Sequence, residues 1–242
     1  NGTVTLDLIL VALGIKPGDE VIMPTLTYIA SANAVRYCGA TPVFVDSEED
    51  TFNMDPTKLE EKITKNTKAI MPVHLYGLPA DMKEIQKIAD KYSIPVIEDA
   101  AEAHGAEYDG EKVGSFGVAA SFSFFGNKVI TCGEGGMITT NDDALYQRMK
   151  LLKGQAVSPE KRYWHIDVGY NYRMTNMQAA IGLGQLENIS WHIAERKRIA
   201  GLYEKHLAGT EKYMKMQKVP VNCKSVYWMN NVILQDTVNQ ER

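Results

Sequence analysis

The chain has 242 residues, 45% hydrophobic and 23% charged, the balance of a soluble globular protein with ample length for a buried core, which excludes wholesale disorder or a fibrous repeat. Its 26 Lys and Arg against 30 Asp and Glu leave a net charge of -4, so no nucleic-acid partner is expected, because phosphate backbones select a basic excess or a clustered basic face. Three cysteines, Cys38, Cys132 and Cys223, lack any C-x-x-C spacing, so neither a disulfide framework nor a metal site is indicated. No apolar run approaches the roughly 18 residues of a membrane span and no leader pattern is seen at the start, which points to a cytoplasmic protein without a membrane partner.

In chain order, Leu6, Ile9, Leu10 and Leu13 recur at helical spacing and predict a helix from about residue 3, closed by Gly14 and Pro17-Gly18. Short β-rich runs then alternate with helical patterns: Val21 to Met23, a helix from Ser31 to Tyr37, Pro42 to Val45, a helical pattern from Leu59 to Ile63, Ala69 to Leu75, a helix from Met82 to Tyr92, and Val96-Ile97. Apolar strands separated by helices predict an α/β fold with a mostly parallel sheet covered on both faces. Ser121 to Phe125 and Met137 to Thr140 predict two more strands around the turn Gly133-Glu134-Gly135-Gly136. A helix from Asp142 to Leu152, an irregular loop to Arg173 and one long helical stretch from Asn176 to Leu207 follow. Val226 to Leu234 reads as a new β-like run. The chain therefore divides into a large domain over 1-210 and, over 211-242, the opening of a truncated second domain.

In an open α/β sheet, ligands sit beyond the carboxyl ends of the strands. Three segments qualify: Asp99 after Pro95-Val96-Ile97, His74-Leu75-Tyr76, and Lys128 after Phe124-Phe125-Gly126-Asn127. Asp99 reads either as a helix cap or as a carboxylate held to pair with a ligand cation. Lys128 reads either as a surface lysine or as a desolvated amine available for a Schiff base. Gly2-Thr3 at a helix N-terminus and the hydroxyl of Ser123 read as ordinary caps or as phosphate ligands. Lysine, acid and helix N-terminus together are what pyridoxal phosphate requires, whereas neither G-x-G-x-x-G after a strand nor G-x-x-x-x-G-K-[ST] is present.

These residues lie in "NGT" at 1, "PGDEVIMPTLTYIASANAV" at 17, "GATPVFVD" at 39, "PVHLYG" at 72, "EDAAEAHGA" at 98, "FSFFGNKVITCGEGGMITTND" at 122 and "GYNYRMTNMQAAIGLGQLE" at 169. In these motifs the chain resembles the DegT/DnrJ/EryC1/StrS family of pyridoxal-phosphate-dependent nucleotide-sugar aminotransferases. The resemblance implies a fold-type I large domain, a smaller C-terminal domain, and a homodimer with shared active sites. It implies that Lys128 carries the cofactor, Asp99 pairs with its ring nitrogen, Gly2, Thr3 and Ser123 hold its phosphate, and Tyr28 stacks on its ring. Asn171 then serves the neighbouring subunit's phosphate site, and Glu102 stands near the cofactor's phenolic oxygen; a turn asparagine and a helix-face glutamate are the plainer readings. His74, Tyr76, Trp164, His165 and Arg173 are implied to line the sugar-nucleotide site. The motifs most resemble the branch that aminates the 4-keto carbon of GDP-4-keto-6-deoxymannose with L-glutamate, for a cell-surface polysaccharide such as O-antigen. The alternatives are another UDP- or dTDP-linked keto sugar, at C3 or C4, or a non-catalytic cofactor-binding relative. The family usually has a segment before "NGT" and a complete small domain after "VYWM", so the chain resembles a core of a longer protein.

Overall fold

Strand periodicity sets the architecture. The computed structural model describes residues 1–235. Its helices are α1 (Gly2–Ala12), α2 (Ala30–Tyr37), α3 (Met82–Tyr92), α4 (Asp143–Leu152), α5 (Asn176–Glu187) and α6 (Ile189–Leu207). Its strands are β1 (Glu20–Pro24), β2 (Thr41–Val45), β3 (Thr67–Ile70), β4 (Ile97–Asp99), β5 (Glu107–Tyr108), β6 (Glu111–Lys112), β7 (Ala119–Ser123), β8 (Gly136–Thr139), β9 (Met214–Met216), β10 (Cys223–Lys224) and β11 (Val232–Leu234).

β1 lies between β2 and β3, parallel to both, while β4 runs parallel to β7 and β8 pairs antiparallel with β7. Bridges at Ile70–Val96 and Val73–Asp99 join the two halves. The result is a mixed, mainly parallel sheet in the order β2-β1-β3-β4-β7-β8, of the kind the sequence predicts. Alternate residues serve opposite faces. Val21 and Met23 pack with Leu6, Ile9 and Leu10 of α1, Val35 of α2 and Met149 of α4. Ile22, between them, joins Met82, Ile85 and Ala89 of α3 on the other face. At the inner strands β1, β3, β4 and β7 both faces are thus mostly covered, which is why they read as hydrophobic runs.

Several boundaries differ from the sequence reading. The expected helix at Leu59 to Ile63 is a pair of 3-10 turns, Pro56–Lys58 and Glu60–Lys62. The expected strand to Leu75 stops at Ile70, and Leu75–Gly77 forms a tight turn in which Tyr76 takes φ 58°. The long helix of 176–207 divides at Asn188, whose side-chain amide donates to the Gly184 carbonyl at 2.8 Å. The β-like run at 226 becomes a strand only at Val232, where β11 pairs with β9.

The contacts also cross the expected boundary near 210. β10 pairs with β5, Lys218 N donates to the Asp50 carbonyl at 2.9 Å, and Val226 and Trp228 pack with Ala100, Ala103 and Val129. Residues 217–228 therefore pack against elements that precede residue 210, with Cys223, Val226 and Trp228 buried there. The last part of the 211-242 segment falls outside the described residues.

Candidate active site

The carboxyl ends of β1, β4 and β7 open into a cavity of about 270 Å³ whose walls include Asn1, Gly2, Thr3, Thr27, Tyr28, Ser31, Val73, Asp99, Glu102, Ser123, Asn127, Lys128, Glu134 and Trp228. Seven predicted site residues thus meet there: Gly2, Thr3, Tyr28, Asp99, Glu102, Ser123 and Lys128.

Its floor is the start of α1. The first N–H groups of a helix have no intrahelical acceptor; Asn1 Oδ1 accepts Val4's at 3.2 Å, and Gly2 and Thr3 open on the cavity. A Cβ on Gly2 would come within 3.0 Å of Ser123 Cβ, so a residue without a side chain is what lets the helix start beside the end of β7. Small residues, a helix N-terminus and the Ser123 hydroxyl together make an anion cradle.

Asp99 and Lys128 form the second half. Asp99 Oδ2 accepts from Ser31 Oγ at 2.8 Å and Oδ1 from Ala101 N at 3.2 Å. Burial nevertheless pushes its carboxyl above the ordinary value, against those bonds and the nearby Lys128 charge. A buried acid that resists ionisation suits a partner able to share its proton, such as a pyridine nitrogen. Lys128 Nζ lies 3.8 Å from Glu102 Oε1 and 4.0 Å from the centre of the Trp228 ring. Burial lowers its pKa although Glu102 and Asp99 oppose this, which makes neutral amine more accessible. Glu102 accepts the Tyr76 N–H at 2.6 Å, and burial, partly offset by Lys128, raises its pKa to about 7. Cradle, acid and amine therefore fit pyridoxal 5′-phosphate.

The remaining predicted residues do not line this cavity. His74 is fully buried on the opposite side of the strand from Val73, its Nε2 donating to Glu98 Oε2 at 3.0 Å while Nδ1 accepts from Ala80 N at 3.1 Å. Glu98 also accepts from the backbone N–H of Gly114, Phe116 and Gly117 at 2.7–2.8 Å. Burial alone would raise its pKa, but the bonds from His74 and those glycines hold it below the ordinary value. His74 is thus a support for the strand ends rather than a cavity wall. Tyr76 contributes its backbone to Glu102 and its ring to a stack on Trp228, centroids 6.5 Å apart. Trp164 (55% exposed), His165, Asn171 and Arg173 lie at the surface in or after the 155–173 loop. His165 Nδ1 donates to the Gln155 carbonyl at 2.7 Å.

Among the cavity residues that the sequence reading did not single out are Ser31, Trp228 and Glu134. Trp228 was visible only as part of "VYWM", and Ser31 only as the first residue of a helix. His104, between Phe122 and Phe124, has neither ring nitrogen hydrogen-bonded among the described residues. No α5 residue is buried, and Met177, Ile181, Leu183 and Leu186 are exposed. No helix among the described residues is long and apolar enough to cross a membrane.

Comparison with known proteins places the site in context. Residues 1–242 match the DegT/DnrJ/EryC1/StrS aminotransferase family. The chain is 57% identical to GDP-perosamine synthase of Caulobacter vibrioides, covering 100% of this chain and 65% of that protein. It is 51% identical to GDP-perosamine synthase of Escherichia coli O157:H7, again over 100% of this chain and 65% of the relative. The chain therefore spans about two thirds of the length of these relatives. The aminotransferase from Psychrobacter cryohalolentis superposes with a TM-score of 0.92 at 39% identity, over 98% of this chain and 65% of its own. NtdA from Bacillus subtilis with bound cofactor PMP gives 0.89 at 34% identity, over 97% and 53%.

Proposed function

The chain belongs to the DegT/DnrJ/EryC1/StrS aminotransferase family, and from that premise we propose that its protein uses pyridoxal 5′-phosphate to transfer an amino group from L-glutamate to a nucleotide-linked keto sugar. GDP-4-keto-6-deoxymannose is the favoured acceptor and GDP-perosamine, a precursor for cell-surface polysaccharide such as O-antigen, the product. The observation that carries the reading is the convergence of Lys128, Asp99 and the α1 N-terminus on one cavity. The similarity to two GDP-perosamine synthases supports the choice of sugar.

When bound, the cofactor supplies an electron sink for the substrate carbon being deprotonated. The chain's own residues do the rest. The N–H groups of Gly2 and Thr3 and the Ser123 hydroxyl bind the phosphate. Asp99, fixed by Ser31, would hold a proton at the ring nitrogen, and Tyr28, 70% exposed at the cavity mouth, would stack on the ring. Lys128 Nζ would anchor the cofactor and, once released as a neutral amine, would take and return the proton at the substrate carbon. Glu102, partly protonated near neutrality, donates to or accepts from the phenolic oxygen without placing a full negative charge beside it.

Asn171, Trp164, His165 and Arg173 lie outside this chain's own cavity, so in this reading they serve the site of a second copy. The exposed apolar face of α5 supports such a homodimer. Borohydride reduction of the full-length, cofactor-loaded protein should fix a pyridoxyl group on Lys128 by peptide mapping. Mass spectrometry with glutamate and a panel of GDP-, UDP- and dTDP-keto sugars should find amination of the GDP sugar. A pyridoxyl group on another lysine would defeat the site assignment, and turnover of only UDP or dTDP substrates would defeat the choice of sugar.

A further inference from the structure

One wall of the cavity comes from the far end of the described chain. Val226 N donates to the Gly77 carbonyl at 3.0 Å, and Ser225 Oγ donates to the same carbonyl at 3.1 Å. Gly77, at φ 94°, permits this close approach, since a Cβ there would meet Val226 Cγ2 at 2.8 Å and Trp228 N at 3.0 Å. The strap so laid down delivers the Trp228 indole, 9% exposed, over Lys128 Nζ at 4.0 Å from the ring centre. The ring and the backbone that carries it are both fixed: indole Nε1 donates to the Asn127 carbonyl at 2.7 Å, and the Trp228 main-chain carbonyl accepts from Arg196 Nη1 at 3.0 Å. Tyr76 stacks behind it. A clamped indole face at this range is a docking surface for an ammonium.

The geometry points to Trp228 as the positioning residue of the Lys128 amine: its fixed π face holds the lysine ammonium beside Glu102 whenever that amine is free. This role rests on the transaminase reading. Trp228 makes no covalent step; it acts through Lys128 alone. The charged or titratable groups around that amine are Glu102 and Asp99 from the end of β4, Tyr76 behind the indole, His104 beyond them and Arg196 from α6, and the fluorinated tryptophan leaves each of them in place.

The test uses the full-length apoprotein and pyridoxal 5′-phosphate as probe, following lysine adduct formation by absorbance across pH, with Trp228→Leu, Trp228→Phe and a polyfluorinated tryptophan placed at 228. Fluorination drains the π face at nearly constant shape, so it remains decisive if the leucine variant does not fold. Loss of the π face should lower the pH inflection of uptake, and below it raise the neutral-amine fraction roughly two- to thirtyfold, with phenylalanine intermediate. An inflection unchanged in the fluorinated protein, or one that rises, would overturn the role of Trp228 while adduct on Lys128 leaves the transaminase reading standing. Absence of adduct on wild-type Lys128 would overturn both.

Discussion

Replacing His104 by leucine should remove most of one acid-sensitive component of stability. The imidazole is 4% exposed, tilted against Phe122 and Phe124 at 5.5 and 5.6 Å, with neither ring nitrogen in a hydrogen bond of good geometry among the described residues. Burial first, then the Lys128 charge, lower its pKa from 6.5 to about 4, with only the Ser123 backbone pulling the other way. A histidine whose folded pKa lies below its unfolded one is fully compatible with the fold above pH 6.5. Below it the unfolded chain binds a proton that the folded one refuses, so stability falls from pH 6.5 toward pH 4 and then levels. At pH 5 this difference amounts to about 2 kcal/mol for one such group. Leucine also removes two buried nitrogens that lack a hydrogen bond of good geometry, so stability at pH 7 should be unchanged or higher. The assay is urea unfolding of the full-length protein and of His104→Leu at pH 7 and pH 5. The variant should lose about 2 kcal/mol less than wild type between the two. Equal losses would refute the claim that a neutral imidazole is locked inside the fold.

Asp99→Asn should retain cofactor but slow the glutamate half-reaction by about a hundredfold or more, because an amide cannot keep a proton at the ring nitrogen; near-normal conversion measured by stopped-flow absorbance would remove Asp99 from the chemistry. Glu98→Gln places amide hydrogens against the donors that now converge on Glu98 from His74, Gly114, Phe116 and Gly117, and should cost about 3 kcal/mol in urea unfolding. If Asn171 serves the neighbouring site, mixtures of Asn171→Ala and Lys128→Ala subunits should regain activity that neither parent shows. An impaired Asn171→Ala protein that stays inactive after verified subunit exchange would place its action within its own chain.

Much of the sheet was legible because strands buried on both faces must be apolar throughout, and the strand-end rule located Asp99 and Lys128 without any partner being visible. The same rule failed for His74 for a definite reason. Adjacent strand residues face opposite ways, so Val73 and Asp99 meet the cavity while His74 and Glu98 meet each other beneath it. Sequence shows that such a residue is near a strand end but not which way it points until the register is known. Trp228 was hidden by distance: its place depends on a strap anchored at Gly77, a contact spanning 148 residues between Ser225 and Gly77. The kink at Asn188 was hidden because the apolar pattern continues through it.

The seat of α1 is completed only late in synthesis. α1 carries Leu6, Leu8, Ile9 and Leu10 into the core and packs across β7 and β8, and the Ser121 hydroxyl reaches back 119 residues to the Gly2 carbonyl. On a ribosome adding about 5–20 residues per second, β7 follows α1 by roughly 6 to 24 seconds. Throughout that interval the apolar helix α1 can pack on β1 and α2 but not on β7 and β8, and the helix start that forms the cavity floor lacks the wall that Ser123 and Lys128 supply. Synthesis of this chain therefore contains a waiting period in which aggregation competes with folding, and anything that slows elongation between residues 13 and 119 lengthens it.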